Sequence, residues 1–523
     1  MSGGYQPTRR AGVKTQAPFG TDPRFGRREF LGLGAAAALV VAGCGSRGSA
    51  ETDQRGTRLV PADGAEVRAA ERRRRGSKAA VREFKVVAAP FDFDIGGRVV
   101  STWAFSDQIP GPLVRVNRGE VVKLLLKNEL PESTAIHWHG IALRNDMDGV
   151  PGLTQRAVQF GESFLYEFAV PDAGTYFFHP HVGTQLDRGL YAPMIIDDPN
   201  ERGDYDKEWI VVLDDWLDGV DGTPDDQLRV LQRGMHGAAN GAHDMTTMST
   251  GNGSTSGTGL TSALLGGDAG DVRYPYYLFN GRVSSNPEIT QARPGDRVRL
   301  RVINAASDTA FTVGLQGHRL TVTHNDGLAV KPRGADSVLV GMGERFDATV
   351  TVGTGSFAFI AEAEGKSPGS AHGVLRSLPS AASPRVERIR RGELLELVSL
   401  EAPQREQSTR VDRTLDVVLG GSMSDYRWTM NGKTFADSEP LPVYQGERVR
   451  LRFENRSSMW HPVHLHGHTF TVPAGGRKDT VIVKPAEKIA VEFNAENPGQ
   501  WMLHCHNVYH QEAGMLTELS YRS

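Results

Sequence analysis

The chain has 523 residues, 39% of them hydrophobic, and a formal net charge of −3 with charges of both signs interspersed. That length exceeds what one hydrophobic core organises, so about three domains of roughly 150 residues are expected, and without a long basic face nucleic acid is excluded as the expected partner. The 60 glycines and 28 prolines, separated by short apolar stretches, point to strands and turns rather than long helices.

At the N-terminus Gly26-Arg27-Arg28-Glu29-Phe30-Leu31 precedes an apolar run from Leu33 to Val41, in the manner of a twin-arginine export signal. The run ends in Val41-Ala42-Gly43-Cys44, which reads as a lipoprotein processing box with Cys44 lipidated; the plainer alternative is an ordinary signal whose small residues happen to precede a cysteine. Residues 1–44 are therefore expected to be a signal, and the protein to be exported to the cell envelope or periplasm and anchored to the membrane by lipid. Residues 45–80, with Arg72-Arg73-Arg74-Arg75, are expected to form a flexible tether whose charges are solvated. The only other cysteine is Cys505. No disulfide is then available to the mature fold, and a lone thiol in an oxidising compartment calls for an occupant such as a metal.

From residue 81 onward one pattern recurs three times. Gly119-Glu120, Gly295-Asp296 and Gly446-Glu447 each open an alternating strand that ends at an asparagine: Asn128, Asn304 and Asn455. Three related β domains follow, at 81–204, 205–384 and 385–523. Eighteen residues past the turn glycine the first copy carries His137-Trp138-His139 and the third His464-Leu465-His466, whereas the second has Val313-Gly314-Leu315. A second matched segment places His179-Pro180-His181 over His504-Cys505-His506, and the middle copy has Ile360-Ala361-Glu362 there. On a strand, residues i and i+2 face the same way, so each His-x-His pair presents two imidazoles to one side. Eight such ligands shared by the outer domains suit a polynuclear metal site at their interface. Imidazole serves copper, zinc and iron alike, so ligand type alone leaves the metal open.

The third domain adds His461, Cys505, His510 and Met515, where the first has Thr134, Pro180, Gln185 and Leu190. Two histidines, a cysteine and a weak axial methionine form the ligand set of a type 1 electron-transfer copper. Strand parity turns Cys505 away from the face of His504 and His506, and His461 away from that of His464 and His466. Trp138 reads as packing, His468 as a neighbour of the site or a surface residue, and His318, His324 and His372 as ordinary histidines of a ligand-free middle domain.

With these motifs, residues 81–523 resemble the multicopper oxidase family. The resemblance implies three cupredoxin-like Greek-key β-sandwich domains and four copper ions, one type 1, one type 2 and two type 3. It implies His137 and His464 as type 2 ligands, and His139, His179, His181, His466, His504 and His506 as ligands of the type 3 pair. His461, Cys505, His510 and Met515 are again type 1 ligands. Single electrons taken at type 1 copper would be matched to the four-electron reduction of O₂ to water. Asp148, in Met147-Asp148-Gly149, resembles the family's proton-supplying carboxylate. Some bacterial members have a glutamate directly after the last type 1 histidine, but here Gln511 holds that place and Glu512 follows.

The electron donor is less directly written. A Gly/Ser/Thr-rich insertion at 234–270 contains Met235, His236, His243, Met245 and Met248, and thioether and imidazole ligands in a turn-forming loop suit Cu(I). The alternative is an ordinary linker with incidental methionines. This insertion, the export signal, and the runs Tyr274-Pro275-Tyr276-Tyr277-Leu278-Phe279-Asn280-Gly281-Arg282 and Tyr509-His510-Gln511-Glu512-Ala513-Gly514-Met515 resemble the copper-resistance branch of the family. That resemblance implies oxidation of Cu(I), and of phenols as well, by a chain expected to act as a monomer. The enzyme alternatives are a general laccase or a ferroxidase using Fe(II). A copper-storing lipoprotein is the non-enzyme alternative, and the intact ligand set argues against a cupredoxin-fold protein that has lost its metal.

Overall fold

The recurring Gly-acid turn occupies the same structural position three times. In the computed structural model, which describes residues 58–201, 203–233, 260–404 and 410–523, Gly119, Gly295 and Gly446 all have positive φ, at 85°, 90° and 88°. A side chain would be strained there, which is why each copy keeps glycine. The acid after it closes the turn. Glu120, Asp296 and Glu447 accept from the backbone N–H of Asn117, Arg293 and Tyr444 at 2.8, 2.7 and 3.0 Å. The asparagine at the strand's far end clamps the next loop. Nδ2 of Asn128 donates to the carbonyls of Glu132 and Val158, that of Asn304 to Thr309 and Val340, and that of Asn455 to Met459 and Val483.

Between turn and clamp, each strand lies between a parallel and an antiparallel neighbour. Val121–Asn128 runs parallel to Val81–Asp94 and antiparallel to Ser163–Ala169. Arg297–Asn304 does the same with Lys207–Trp216 and Arg345–Thr351, and Arg448–Asn455 with Arg413–Ser422 and Lys488–Asn494. A second sheet completes each unit, giving three cupredoxin-like β-sandwiches in a nearly all-β chain of 9% helix and 46% strand. The first core joins Val122, Leu124 and Leu126 of one sheet to Phe178, Met194 and Ile196 of the other, and each such side chain stabilises by about 1.5–3 kcal/mol on full burial.

The second sheets of the first and third units carry the paired histidines. His137–His139 pairs antiparallel with Gly174–His179, placing His137 opposite His179. In the third sandwich His461–Leu465 pairs with Gln500–Cys505, placing His464 opposite His504. The middle sandwich makes the same pairing with Val313 opposite Ala361, both in its core.

Two expectations need correction. Leu394–Glu396 pairs in parallel with Ser337–Val340, so the second unit extends beyond residue 384. The latter part of the expected tether is also built into the fold. Leu59 forms a bridge to Arg522, Val60 N–H donates to Tyr521 O at 2.9 Å, and Ala65–Arg74 is a helix with Val67 and Ala70 buried. Glu71 of that helix accepts from Ala169 N–H at 2.7 Å, Arg74 donates to Asn497 at 2.7 Å and Arg75 pairs with Glu167 at 3.0 Å. The segment thus straps the first sandwich to the third. Alanine, glutamate and arginine favour helix, and the arginines of the last turn complement its dipole. No helix among the described residues is long and apolar enough to cross a membrane. Residues 1–44, Cys44 included, and Met235, His236, His243, Met245 and Met248 lie outside the described residues.

Candidate metal centre

The eight histidines of the four His-x-His pairs converge in one buried cluster. His137 stacks on His466 with centroids 3.6 Å apart, and His139 on His464 at 3.7 Å. Ligand atoms of His137, His464 and His466 lie within 4.8 Å of one another, as do those of His137, His139 and His179 and those of His181, His466 and His504. His506 packs edge-on against His139 and His179 at 4.9 and 5.2 Å.

Outer hydrogen bonds fix which nitrogen six of the eight rings turn inward. Nδ1–H of His137 donates to Asp148, to its backbone O at 3.0 Å and its Oδ1 at 3.2 Å, and Nδ1–H of His466 donates to Asp148 Oδ2 at 2.9 Å. His179, His464 and His504 donate from Nδ1 to the carbonyls of Pro180, Asp479 and Cys505. His139 is turned the other way, with Nε2 3.2 Å from Asp479 Oδ1 and 3.2 Å from Thr480 Oγ1. Left inside are Nε2 of His137, His179 and His464, Nδ1 of His139, and both ring nitrogens of His181 and His506, all buried and without a hydrogen-bond partner among the described residues. An orphaned buried polar atom costs about 1–3 kcal/mol, and so many aimed at one volume fit metal ligation. Burial, reinforced by the neighbouring imidazoles, pushes His139, His179, His181, His466, His504 and His506 well below the ordinary histidine range, which keeps their lone pairs available.

The second site lies in the third sandwich. Cys505 Sγ is 3.6 Å from Nδ1 of both His461 and His510, and those nitrogens are 3.1 Å apart. This triangle of one cysteine sulfur and two imidazole nitrogens suits type 1 copper. Met515 is fully buried and tied in by its backbone: Cys505 N–H donates to Met515 O, and Met515 N–H to His510 O, both at 3.0 Å. The rings of His461 and His510 are both fully buried. His461 Nε2 lies 2.7 Å from Ser457 Oγ, and His510 Nε2 donates to Asp271 Oδ2 at 2.9 Å. Burial alone would lower His510, but Asp271 overrides it and pushes it up to about 10.

Asp148 bridges imidazoles of the first and third sandwiches. Glu512, at the end of the helix Val508–Glu512, accepts from Gln511 at 3.1 Å, and burial raises its carboxyl above the usual range. Gln511 in turn lines a void of about 10 Å³ bounded also by His179, His504 and His506, which is room for about one water. His468 donates from Nδ1 to the backbone O of His466 and packs among Phe493, Trp501 and Tyr521, and Trp138 packs among Tyr166, Phe168 and Phe178. His318, His324 and His372 belong to no metal-compatible group among the described residues. Sequence reasoning missed Asp271, Asp479 and Ser457. Only Ser457, four residues before His461, had a local signal.

Models of the multicopper oxidase family match residues 92–201, 208–378 and 409–523. The chain is 43% identical over 511 residues to multicopper oxidase MmcO of Mycobacterium tuberculosis, covering 95% of this chain and 97% of that protein. It is 27% identical to a copper resistance protein A homolog of Pseudomonas syringae pv. tomato, covering 84% and 92%. Among solved structures, laccase from Botrytis aclada superposes with a TM-score of 0.70 at 24% identity, covering 84% of this chain and 88% of that one, which supports the fold. Three consecutive matches laid over the sandwiches, the outer two holding the histidines, and an alignment along nearly the whole chain show that it belongs to the multicopper oxidase family, copper-dependent oxidoreductases that use O₂.

Proposed function

We propose that this oxidase takes electrons chiefly from Cu(I) at the Cys505 site and delivers them to O₂ at the histidine cluster, in the cell envelope, with Cys44 lipidated. The assignment gives His461, Cys505, His510 and Met515 to type 1 copper, His137 and His464 to type 2, and the remaining six histidines to the type 3 pair. When bound, the four copper ions supply one-electron storage and the multi-electron reduction of O₂. The chain supplies the path between them, because Cys505 is flanked directly by His504 and His506. It also supplies a carboxylate, Asp148, in contact with two cluster imidazoles and suited to proton delivery. Glu512 is the weaker proton source, since its link toward the cluster passes through the Gln511 amide.

The observation that carries the choice of donor is the closure of both type 1 imidazoles. A phenol needs contact with a ring edge, and Ser457 and Asp271 occupy those edges. Asp271 closes its edge with a carboxylate that suits a metal cation, and it arrives on the segment that follows the Met/His-rich stretch. The similarity to a copper resistance protein A homolog supports the same reading. Fe(II) is the competing donor, because a carboxylate serves that ion equally well.

Steady-state O₂ uptake with Cu(I), Fe(II) and a phenol tests the proposal on copper-loaded protein. Replacing Met235, Met245 and Met248 with leucine should lower Cu(I) oxidation, while phenol oxidation, already slow in the parent because both ring edges are closed, does not fall. Unchanged Cu(I) kinetics would leave a general laccase as the better reading.

A further inference from the structure

The middle sandwich carries no ligand, yet one of its loops touches the cluster. Gly343, at φ +80°, lies so close to two ligand rings that a Cβ built on it would fall 2.8 Å from His506 Cδ2 and 3.0 Å from His139 Cε1. Two residues on, Arg345 is fully buried, and Nη1 and Nη2 donate to Oδ1 and Oδ2 of Asp479, both at 2.7 Å. Nη1 also donates to Gly343 O at 3.0 Å, and Nε to Thr175 O at 3.2 Å. Asp479 Oδ1 is 3.2 Å from His139 Nε2 and 3.5 Å from His464 Nδ1. Arg345 thus holds a carboxylate of the third sandwich against a histidine of the first and one of the third. The fit leaves no slack: a Cβ on Gly140 would lie 2.4 Å from Arg345 Nη2 and 2.5 Å from Asp479 Oδ2.

We infer that the middle sandwich is a working wall of the cluster, with Arg345 positioning His139 and His464 through Asp479 and with Gly343 seating the rings of His139 and His506. This rests on the ligand assignment proposed above. A carboxylate at the second nitrogen of a metal-binding imidazole sets the ring's tautomer and orientation, and a planar bidentate guanidinium fixes that carboxylate in a way a point charge cannot. Arg345 is accordingly a positioning residue and needs no contact with copper. Gly343 is required for space as much as for its backbone conformation, since its neighbours are ligand rings held from two other sandwiches.

The test compares Arg345→Lys and Gly343→Ala with the parent protein, measuring copper per chain, the type 2 electron paramagnetic resonance signal, the near-ultraviolet type 3 band and azide affinity, beside the blue type 1 band. Arg345→Lys keeps the charge and loses the fork. It should change the type 2 signal and shift the azide Kd at least tenfold, with kcat lowered about 10–100-fold, while the donor KM and the blue band stay unchanged. Gly343→Ala should weaken the type 3 band and lower copper occupancy. A thermal melt of each variant checks folding, and Arg345→Lys carries the test if Gly343→Ala does not fold. Arg345→Lys with a parental type 2 signal and an azide Kd within twofold would overturn the inference, as would a blue band disturbed as much as the cluster. Failure of the parent itself to bind cluster copper would instead overturn the ligand assignment.

Discussion

Replacing Asp148 with asparagine should slow the O₂ step while sparing electron entry. The carboxylate accepts from two imidazoles in a fully buried position, His137 at 3.2 Å and His466 at 2.9 Å. Asparagine keeps one acceptor and turns an NH₂ toward the other Nδ1–H, so two donors face each other. His137 keeps its bond to the backbone O of residue 148 at 3.0 Å, and the damage falls mainly on His466. Losing one hydrogen bond to a charged group costs about 1.5–3 kcal/mol. At about 1.4 kcal/mol per decade of rate, that corresponds to a slowing of roughly 10–100-fold, to which loss of the ionisable group adds. Stopped-flow measurement separates the two half-reactions: anaerobic bleaching of the blue band by donor, then reoxidation on mixing with O₂. The expected result is slowed reoxidation and bleaching within twofold of the parent. Equal slowing of both would refute a specific role for Asp148.

Two further predictions follow from burial. His468 is pushed down to about 4, chiefly by burial, so between pH 6.5 and 4 the unfolded chain binds a proton that the folded one does not. Its contribution to stability is present above pH 6.5 and declines by at most about 3 kcal/mol as pH falls through 4; His468→Asn should flatten that slope in urea titrations, and an unchanged slope would show that other groups set it. Removing the strap up to residue 75 should lower the thermal midpoint and speed copper loss to a chelator, because it exposes Val60, Val67 and Ala70 and releases Glu71 and Arg74 from the first and third sandwiches. Chelator-driven copper loss at the parental rate would show that the strap does not brace the cluster.

The site was legible in the sequence wherever the signal was local. The period of two in each strand turned His137 with His139 and His464 with His466, and the Gly-acid turns and terminal asparagines set a register in which the middle copy visibly lacks imidazoles. Asp148 was legible through its family motif. Asp271 and Arg345 were not, because they reach His510 and Asp479 from another sandwich, 239 and 134 residues away in sequence, and no periodicity records such a meeting. The strap was misread because four arginines dominate its composition, whereas Val60, Val67 and Ala70 decide its packing. Leu394–Glu396 was placed in the wrong unit for a related reason: a three-residue strand shows too little alternation to reveal its partner.

The assignment of two separate metal sites is tested most directly by Cys505→Ser. Copper analysis with optical and paramagnetic resonance spectra should show loss of the intense blue band and of donor turnover. The type 2 signal and the type 3 band should persist, because the eight cluster histidines are untouched. A blue band that survives the substitution, or donor turnover that continues without it, would contradict the account.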